Sequence, residues 1–532
     1  CITKGADSIM GPLCNGTLGD SVMKQIDTYA KLGLRTLVVG WKSVDRSFLS
    51  AWQVRMENAR GSSIEVREEK LAQCARELEH SLRLSGVSAI EDRLQDGVPV
   101  AMSTLKAMGI RIWVLTGDKV ETAVEIARSC RLLGDTTALI SITNAASSLQ
   151  AVKLLREGKD AAKANLSGDC TLILDGSSMK YATDSVDGAR LIFEVGALCR
   201  TCICCRLAPQ QKRRLVQIVR EADKERITLS IGDGANDVPM IQGAHVGIGV
   251  RGKEGSQAVQ ASDIAISQFR FLVPLLQCHG RRAYRRVATF LCYYVYKHVA
   301  LAVGDMCWAH QSEFAGKVAY PEWVSSAYAA FFTTVPVIGI LSFDRDLPDS
   351  SAFANPELYA EGQSRIHFNS RIFTIWMLSG VWHGALSWFV PNLAVGASDP
   401  GEDPEWNKDW WTGSLASFTL VLVCVSFRLW MIALNRTSAV TLASFLISFV
   451  FYLVTMLMLS HTFLGEIMQP QIQGSFADMF ASKEAMLALF LSPLALSLDL
   501  IIFVLLKLLR PTPLDCVISE LKAKRSRVQA IS

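Results

Sequence analysis

The stretch ITLSIGDGANDVPMI, residues 227–241, shows how this 532-residue chain is built. Its first five residues are an apolar run typical of a buried β-strand, and residues 232–237 form a polar turn with two glycines. A strand that ends in a polar turn and leads into a helix is the repeating unit of open α/β sheets. The stretch therefore predicts an α/β fold, provided that the same unit recurs.

The unit recurs upstream. Three further apolar runs are each followed by a turn and then by residues at helical spacing: 110–115 before 116–119, 171–174 before 175–176, and 201–205 before a helix at 211–222. This order predicts a mostly parallel sheet with helices on both faces. Ligands bind at the carboxyl ends of such strands. We therefore expect the polar turns to lie side by side along this edge of the sheet, the one formed by the carboxyl ends of its strands, and to form the functional site.

The composition points to a membrane protein. Half of the residues are hydrophobic, only 20% are charged, the formal net charge is +4 and the mean hydropathy is +0.25. These values exclude a disordered chain and a nucleic-acid-binding class that depends on bulk positive charge, so no nucleic-acid partner is expected.

Apolar windows of about 20 residues, the length that crosses a bilayer, occur only after residue 286. There are six of them: 287–309, 324–343, 371–391, 413–434, 440–460 and 486–507. The first is the weakest, because Lys297, His298 and Asp305 interrupt it. An even number of spans places both flanks on one side of the membrane. Arginines and lysines flank the spans on that side, and acids dominate the other loops, which predicts a cytosolic location for residues 1–285 and for the basic tail 511–532.

Residues 1–91 differ from the α/β region. They contain a helical start, an apolar strand at 34–39 and a charged amphipathic helix at 51–84. We interpret them as the end of a separate domain, with a hinge near 89–93. The predicted domains are thus 1–91, 92–285, a membrane domain at 286–510 and the tail.

Two turns on the predicted edge have the residue types for phosphate chemistry. Asp233, Asn236 and Asp237 offer two carboxylates and an amide in one glycine-containing turn, which suits a hard Mg²⁺ ion. Thr116-Gly117-Asp118 offers a hydroxyl, an open backbone N–H and a helix N-terminus, which together can hold a phosphate. Each motif alone is usually only a turn or a helix cap.

Lys212 follows Pro209 at the start of a predicted helix and can supply a fixed positive charge during phosphoryl transfer. A lysine on a helix is usually only solvated, but the three motifs in this order, ahead of membrane spans, form a specific combination. The nearby Cys199, Cys202, Cys204 and Cys205 have no second cluster of zinc ligands close by. We expect them to be small buried residues on a strand.

The chain resembles the P-type ATPases and, within them, the phospholipid flippases of the fourth class. The resemblance runs from the first residue to about residue 510. The strings that carry it are Lys4-Gly5-Ala6, 34–37, 91–95, 97–99, 113–119, 121–123, 203–206, 232–237, 240–242, 279–281, Tyr296-Lys297, 343–346, Tyr359 and Gly362-Gln363.

The resemblance implies an α/β haloacid-dehalogenase-like phosphorylation domain with a Rossmann-like parallel sheet at 92–285. It also implies part of an α+β nucleotide-binding domain at 1–91 and an all-α membrane domain of six transmembrane helices. Lys4 and Arg35 would contact ATP, and Asp233 and Asp237 would hold Mg²⁺. The residues expected to line the phosphate and the hinge are Thr116, Gly117, Asp118, Arg206, Lys212, Asn236 and Asp237.

The chain also departs from the family pattern. The phosphorylated aspartate of the family belongs to an Asp-Lys-Thr-Gly-Thr string, and no such string occurs here; the Asp-Gly-Glu-Thr loop of the actuator domain is absent as well. The chain begins at Cys1, without an initiator methionine or a signal peptide. The expectation is that these residues are the carboxyl-terminal part of a pump, with six of the ten spans of the family, and that they are inactive alone.

The second predicted span has no cation ligands. Residues 323–342 contain no Asp, Glu, Asn or Gln, and hard cations need such oxygen ligands. Lys297, by contrast, lies near the middle of the first span, where a lysine costs ~2.5 kcal/mol or more and is functional by default. Snorkelling of Lys297 is the alternative. Flippases carry a lysine at the matching position, commonly followed by Asn, whereas His298 follows here.

The resemblance implies ATP-driven translocation of a phospholipid to the cytosolic leaflet through an aspartyl-phosphate. It further implies a two-span accessory subunit with a glycosylated ectodomain, and a location in the plasma membrane, Golgi or endosomes. The acidic, tryptophan-rich loop 405–411 could dock that subunit, or anchor at the interface. Two alternatives stay open: a nucleotide-binding pseudo-pump or regulatory remnant, and a cation-transporting pump.

Overall fold

The computed structural model describes residues 1–532 except for a set of short segments. The excepted residues are 15–17, 32–33, 63, 91–93, 135, 166–168, 253–255, 317, 396–407, 434–437, 497–504, 506–508, 510, 513, 522 and 524–532. The chain divides into two compact units, Cys1–Val273 and Pro274–Ser532.

The first unit alternates strands and helices along its whole length. Its strands are β1 (Ile2–Gly5), β2 (Arg35–Trp41), β3 (Arg83–Ile90), β4 (Ile112–Leu115), β5 (Ala138–Ile142), β6 (Cys170–Asp175), β7 (Thr201–Cys205), β8 (Leu229–Gly232), β9 (Val246–Val250) and β10 (Ile264–Ile266). Its helices are α1 (Asp7–Leu13), α2 (Asp20–Lys31), α3 (Arg46–Arg60), α4 (Ile64–Leu78), α5 (Val98–Ala107), α6 (Val120–Ser129), α7 (Ser148–Ala164), α8 (Gly176–Thr183), α9 (Val186–Leu198), α10 (Pro209–Ala222), α11 (Val238–Gly243) and α12 (Gln257–Gln260).

Strands β1, β2 and β3 form an antiparallel sheet in that order. Val38 on the central strand is fully buried, and it packs with Met10, Ile26 and Leu82 in a small core beneath α1 and α2. The single helix predicted at 51–84 is wrong: α3 ends before Gly61, α4 follows, and residue 83 already begins β3. The hinge predicted near 89–93 falls partly on β3 and otherwise outside the described residues, so the domain boundaries stay predictions.

The predicted parallel strands are present, but they form two sheets. One has the order β5-β6-β7-β4, and the other has the order β8-β9-β10; every pairing within them is parallel. Strands β6 and β7 are buried along their whole length, as expected for the centre of a parallel sheet covered on both faces. In the described part of the chain, β4 and β8 are each paired on one side only.

The cysteine cluster is part of this core. Cys202, Cys204 and Cys205 lie on β7 and are fully inaccessible, and Cys199 is buried directly after α9. All four thiols are free. The prediction that these residues are small core residues on a strand is therefore confirmed for the three on β7.

The second unit is helical. After the short helix α13 (Leu272–Pro274) at the boundary, its α-helices are α14 (Arg281–Gln311), α15 (Glu322–Ala327), α16 (Thr334–Phe343), α17 (Asp349–Ala354), α18 (Ala360–Gln363), α19 (Ser370–Val395), α20 (Lys408–Ile432), α21 (Ala439–His461), α22 (Phe463–Met468), α23 (Ser475–Ala481) and α24 (Lys483–Leu496). A π-helical turn, Tyr328–Phe332, joins α15 to α16. Helix α14 packs on α19, α19 on α20, and α16 on α21.

Four helical stretches of the described residues are long and apolar enough to cross a membrane. They are Phe269–Gln311, Glu322–Phe343, Trp410–Ile432 and Ala439–His461. These match four of the six predicted windows. Helix α19 covers the third predicted window but is less apolar, because it carries residues such as His383 and Asn392. Most of the last predicted window lies outside the described residues.

A buried ion pair fixes the loop that follows α16. Arg281 at the start of α14 contacts Asp346 with 2.5 Å between Nη1 and Oδ2, and both side chains are at most 5% exposed. Burial opposes ionisation of Asp346, but the charge of Arg281 outweighs it, and the pKa of this carboxyl lies below its ordinary value. The string 343–346, which contributed to the family resemblance, thus has a structural role.

Candidate active site

The turn after β4 is closed by its own side chains. The Thr116 hydroxyl donates to Asp118 Oδ2 at 2.8 Å, and the Asp118 N–H donates to Thr116 Oγ1 at 3.1 Å. Among the described residues, the Gly117 N–H has no acceptor, and no side chain caps the N-terminus of α6. The turn therefore leaves the Gly117 N–H and a helix N-terminus free for an anion, as an arrangement that holds phosphate requires.

Backbone hydrogen bonds attach this turn to the end of β7. The Arg206 N–H donates to the Asp118 carbonyl at 3.0 Å, and the Leu207 N–H donates to the Thr116 carbonyl at 3.0 Å. Arg206 adopts a left-handed conformation with φ of 52°, which is uncommon for a residue with a side chain. Its side chain is exposed. The structure therefore brings Thr116, Asp118 and Arg206 together.

The turn after β8 depends on a glycine. A Cβ atom at Gly232 would lie 2.4 Å from Cβ of Asp237 and 2.7 Å from its Oδ2. Only glycine therefore lets the Asp237 side chain fold back over the end of the strand. Asp233 is exposed on the same turn, beside Gly252, where a Cβ atom would lie 3.5 Å from Cβ of Asp233.

Lys212 and Asp237 form an ion pair with 2.8 Å between Nζ and Oδ1. The two side chains are 11% and 16% exposed, so water screens this pair less than a surface pair. Lys212 stands in the first turns of α10, directly after the residues that bind the Thr116 turn. Helix α10 therefore connects the two polar turns: it begins beside one and reaches the other through Lys212.

The donor set fits a hard cation. Asp233 and Asn236 are exposed, and Asp237 keeps Oδ2 while Oδ1 accepts from Lys212. One or two carboxylates, with water and phosphate oxygens completing the shell, are what Mg²⁺ takes in phosphate-processing sites. Within the described ranges there is no group of three or more His, Cys, Asp or Glu that could hold a metal ion. Asp233 and Asp237 therefore stay the predicted ligands of a Mg²⁺ ion.

Negative charge is concentrated at the end of β7. Burial raises the pKa of the Cys205 thiol to about 12, and the charges of Asp118, Asp175 and Glu121 add to this effect, while Arg206 opposes it. Asp175, at the end of β6, caps α8 by accepting from the Ser178 N–H at 2.9 Å. The carboxylates of Asp118, Asp175 and Glu121 thus lie near the end of β7 together with the guanidinium of Arg206.

A further ion pair was not predicted from the sequence. Lys119, next to Asp118, contacts Asp7 of α1 with 2.6 Å between Nζ and Oδ2. Asp7 follows the Lys4-Gly5-Ala6 string, so this pair fastens the start of the chain to the turn after β4. No local pattern could reveal it, because the two residues are 112 positions apart.

The two predicted nucleotide contacts lie on the antiparallel sheet. Lys4 is exposed on β1 and pairs through its backbone with Val39 of β2, and Arg35 begins β2 opposite Ile90. The side chain of Arg35 is outside the described part of the structure. In that described part, Lys4 makes no hydrogen bond or ion pair with the polar turns, so its role in binding ATP stays a prediction.

Lys297, in the second unit, is only 3% exposed at the middle of α14. Its Nζ donates to Thr333 Oγ1 at 2.7 Å and lies 5.3 Å and 5.8 Å from the ring centres of Tyr294 and Tyr328. The Thr333 hydroxyl donates in turn to the Tyr328 carbonyl, within the π-helical turn. This hydrogen bond holds Nζ against Thr333 in the buried interior of the second unit, and no described residue supplies Lys297 with a carboxylate. Asp499, an acid in the last predicted window that would be a candidate partner of Lys297, lies outside the described residues.

Comparison with known proteins identifies the family. A family model described as the C-terminal region of phospholipid-translocating P-type ATPases matches residues 259–512. A phospholipid-transporting ATPase of Schizosaccharomyces pombe is 38% identical over 460 residues, which cover 84% of this chain and 36% of the relative. Phospholipid-transporting ATPase 1 of Arabidopsis thaliana is 38% identical over 400 residues, or 74% and 34% of the two chains. Human phospholipid-transporting ATPase ID is 34% identical over 454 residues, or 80% and 37%. The chain belongs to the phospholipid-translocating P-type ATPases.

Membership of this family agrees with the resemblance inferred from the motifs. The chain spans only about 34–39% of the length of the relatives that it matches. In this chain, Lys297 and Thr333 fall inside the region of the family model, whereas the turns after β4 and β8 lie before it.

Proposed function

We propose that this chain supplies the Mg²⁺-binding, phosphate-binding and membrane-spanning parts of a flippase, which uses ATP to move a phospholipid from the exoplasmic or lumenal leaflet to the cytosolic leaflet. The observation that carries the proposal is the environment of Lys297. A buried cation in a membrane segment whose described partners are one hydroxyl and two aromatic rings lacks a compensating negative charge. The phosphate of a passing lipid headgroup would supply that charge.

The same surroundings argue against a cation as the transported species. Lys297 repels cations, and the helical stretch Glu322–Phe343 that faces it has its acidic residue only at its first position. The stretch therefore lacks, beyond that residue, the carboxylate side chains that divalent cations take as ligands. An anionic headgroup fits both features.

Catalysis would proceed through an aspartyl-phosphate on a residue outside this chain. The two parallel sheets support this idea, because β4 and β8 each have one unpaired edge among the described residues, and each of these strands ends in one of the two polar turns. A further parallel strand that pairs with β4 on one side and with β8 on the other would join the two sheets. Its carboxyl end would then lie between the two polar turns. Its aspartate would then meet the phosphate-binding and the Mg²⁺-binding turn together.

Each predicted site residue has a role in this scheme. Asp233 and Asp237 would hold Mg²⁺, and Lys212 would stabilise the charge of the transferred phosphoryl group. Lys4 and Arg35 would contact ATP. The residues that would line the phosphate and the hinge are Thr116, Gly117, Asp118, Arg206 and Asn236.

The membrane arrangement is also part of the proposal. We infer six spans, with α19 as the third and the segment from α24 onward as the last, and a cytosolic location for the first unit and the tail. A two-span glycosylated subunit would bind on the opposite side, and the plasma membrane, Golgi or endosomes would be the location. Of the predicted docking loop 405–411, residues 405–407 lie outside the described residues, and residues 408–411 begin α20, where Trp410 and Trp411 are buried.

The test uses the full-length protein, reconstituted in vesicles that contain a fluorescent phospholipid. Accessibility of the lipid to an impermeant quencher reports which leaflet it occupies. We expect ATP to move the lipid to the leaflet on the cytosolic side of the pump, and chelation of Mg²⁺ to stop the movement. Stimulation of ATP hydrolysis by inorganic cations instead of by phospholipid would contradict the proposal in favour of a cation pump. Nucleotide binding without any phosphoenzyme would favour a regulatory protein.

A further inference from the structure

A small pocket opens at the edge of the β5-β6-β7-β4 sheet that lies opposite the polar turns. It has a volume of about 250 Å³, and three of the residues that line it are basic: Lys106, Arg111 and Arg200. Gly109, Leu198 and Cys199 form much of the remaining wall, and no carboxylate lines it. The pocket is smaller than the roughly 300–1,000 Å³ of typical drug-sized ligand sites, so its volume suits a small anion.

The sheet itself forces two of these positive charges together. Ile112 of β4 pairs with Thr201 of β7, so Arg111 and Arg200, one residue before each, stand side by side at the amino ends of neighbouring strands. Like charges at adjacent positions of a sheet are destabilising. Burial lowers the pKa of Lys106, and the nearby charge of Arg200 lowers it further, whereas Asp169 acts in the opposite direction. Lys106 and Arg200 are therefore close enough to repel each other.

Two of the three side chains are held in place by neutral groups. Lys106 Nζ donates to the Leu132 carbonyl at 3.0 Å, and Arg111 donates to the Ala197 carbonyl. Carbonyls orient these side chains but do not neutralise them, and both retain further N–H donors. Carbonyls at the C-terminus of a helix often attract basic residues, which explains the contact of Arg111 with Ala197 in the last turn of α9. That explanation does not extend to Arg200, whose side chain makes no hydrogen bond or ion pair with any described residue.

We propose that Lys106, Arg111 and Arg200 form a binding site for a phosphate-bearing anion of about the size of a phosphomonoester. Arginine guanidinium groups bind phosphate oxygens in pairs, and an anion here would remove the repulsion that the fold imposes. Because the site is at the opposite edge of the sheet, its ligand would not compete with nucleotide or Mg²⁺. The proposal does not rest on the proposed function, since binding needs no turnover.

The test uses the full chain in detergent micelles, with inorganic phosphate as the probe. Phenylglyoxal modifies accessible arginines, and mass spectrometry reports the rate at Arg200. We expect phosphate to slow this modification, and Arg200→Gln to weaken phosphate binding in calorimetry by about tenfold, as expected when a charge-assisted hydrogen bond is lost. Arg200 is exposed, so this substitution should leave folding intact, and circular dichroism verifies that.

Three further variants locate the bound phosphate. Lys106→Gln leaves Arg200 in place but removes a second proposed phosphate ligand, so phosphate should no longer protect Arg200 from modification. If phosphate protected Arg200 only by a local effect at that residue, this variant would not change the protection. Lys153→Gln is the matched control, because Lys153 is 76% exposed on α7 and forms only a surface pair with Glu157. Lys212→Gln removes the cation at the opposite edge. If Lys212→Gln abolishes phosphate binding and Arg200→Gln does not, the anion binds at the polar turns and the proposal is wrong.

The source of the phosphate is identified by repeating the protection experiment in lipid nanodiscs. Phosphatidic acid carries a phosphomonoester, whereas phosphatidylglycerol carries only a phosphodiester. Protection of Arg200 by phosphatidic acid and not by phosphatidylglycerol would assign the site to a lipid headgroup. Protection by free phosphate alone would assign it to a soluble anion. Arg200 that is modified at an unchanged rate in every arm would overturn the proposal.

Discussion

Lys212 and Lys297 are both largely buried, but their partners differ in kind. Lys212 lies 2.8 Å from the carboxylate of Asp237, so its charge is balanced within the protein. Lys297 has a hydroxyl and two aromatic rings around it, and no described carboxylate. A balanced cation can hold a turn in place before any ligand arrives, whereas an unbalanced one favours a ligand that brings the negative charge. The comparison therefore supports our proposal of preorganised phosphate chemistry in the first unit and anion recognition in the second.

The largest expected effect tests the proposed phosphate chemistry of the first unit. In the full-length protein, Asp233→Asn should lower phosphoenzyme formation from radiolabelled ATP by about 10²-fold or more, because one of the two metal-binding carboxylates loses its charge. The protein should still be expressed, since the exposed turn tolerates a residue of the same shape. Phosphoenzyme at the normal level would remove Asp233 from the Mg²⁺ site.

The second prediction separates Lys297 from that chemistry. Lys297→Met keeps the length of the side chain but removes the charge, so the lipid concentration for half-maximal ATPase stimulation should rise by roughly 30- to 100-fold, or ~2–3 kcal/mol. Phosphorylation by ATP without added lipid should survive. An unchanged lipid dependence would leave Lys297 with only a structural role. The lack of a described carboxylate beside Lys297 would then say nothing about lipid recognition.

The third prediction compares how much stability the protein loses when the partner of each lysine is removed. Asp237→Ala should destabilise the full chain in detergent by about 1–2 kcal/mol, because Lys212 is then left largely buried without a counter-charge. The double change with Lys212→Met should recover part of that loss. Thr333→Val should cost less, about 1 kcal/mol, since it removes one hydrogen bond to Lys297 and no charge. Equal costs at the two sites would contradict the comparison.

The sequence predicted both lysines, but it did not predict their partners. Lys212 stands out because it follows a strand and a proline, and Lys297 because a charge interrupts an apolar window; both are local signals. The contact with Asp237 is 25 positions away and that with Thr333 is 36 positions away, so each depends on the folded arrangement. The same holds for Lys119 and Asp7, which no periodicity relates.

The architecture was predictable to a similar extent. Alternating strands and turns indicated parallel pairing and a polar edge, because these follow from hydrophobic periodicity. They did not indicate that β4 and β8 belong to different sheets, since pairing partners are not encoded in one strand alone. The long helix predicted at 51–84 shows another limit: the charged pattern continues across Gly61, and only the folded chain shows two helices and a strand.

The fourth prediction concerns Asp175 in the first unit, whose ionised carboxylate is stabilised by hydrogen bonds and not by a positively charged side chain. Burial alone would raise the pKa of Asp175, but hydrogen bonds from Ser178, Ser177 and the Asn144 N–H outweigh it and lower the pKa. The stabilisation from Asp175 should therefore be complete above its unfolded pKa of about 3.9 and be lost as the pH falls through the lower folded value. Asp175→Ala should cost ~1 kcal/mol at pH 7, as for loss of a helix cap, and progressively less in acid. A difference in unfolding free energy that does not change with pH would contradict this assignment.

The smallest expected effect is that of the pair between Lys119 and Asp7. Its side chains are 23% and 14% exposed, intermediate between the pair of Lys212 and a fully solvated one. A double-mutant cycle with Lys119→Met and Asp7→Ala should give a coupling of roughly 0.5 kcal/mol, because partial exposure screens the charges. The matched control is the pair of Lys153 and Glu157, which is 3.9 Å apart and 76% and 61% exposed, and should give a coupling near zero. If Lys119 and Asp7 couple no more than this control, then the ion pair does not fasten the start of the chain to the phosphate turn. If the coupling energy of Lys119 and Asp7 exceeded that of Lys212 and Asp237, the exposed fraction of the side chains would not predict the strength of these ion pairs.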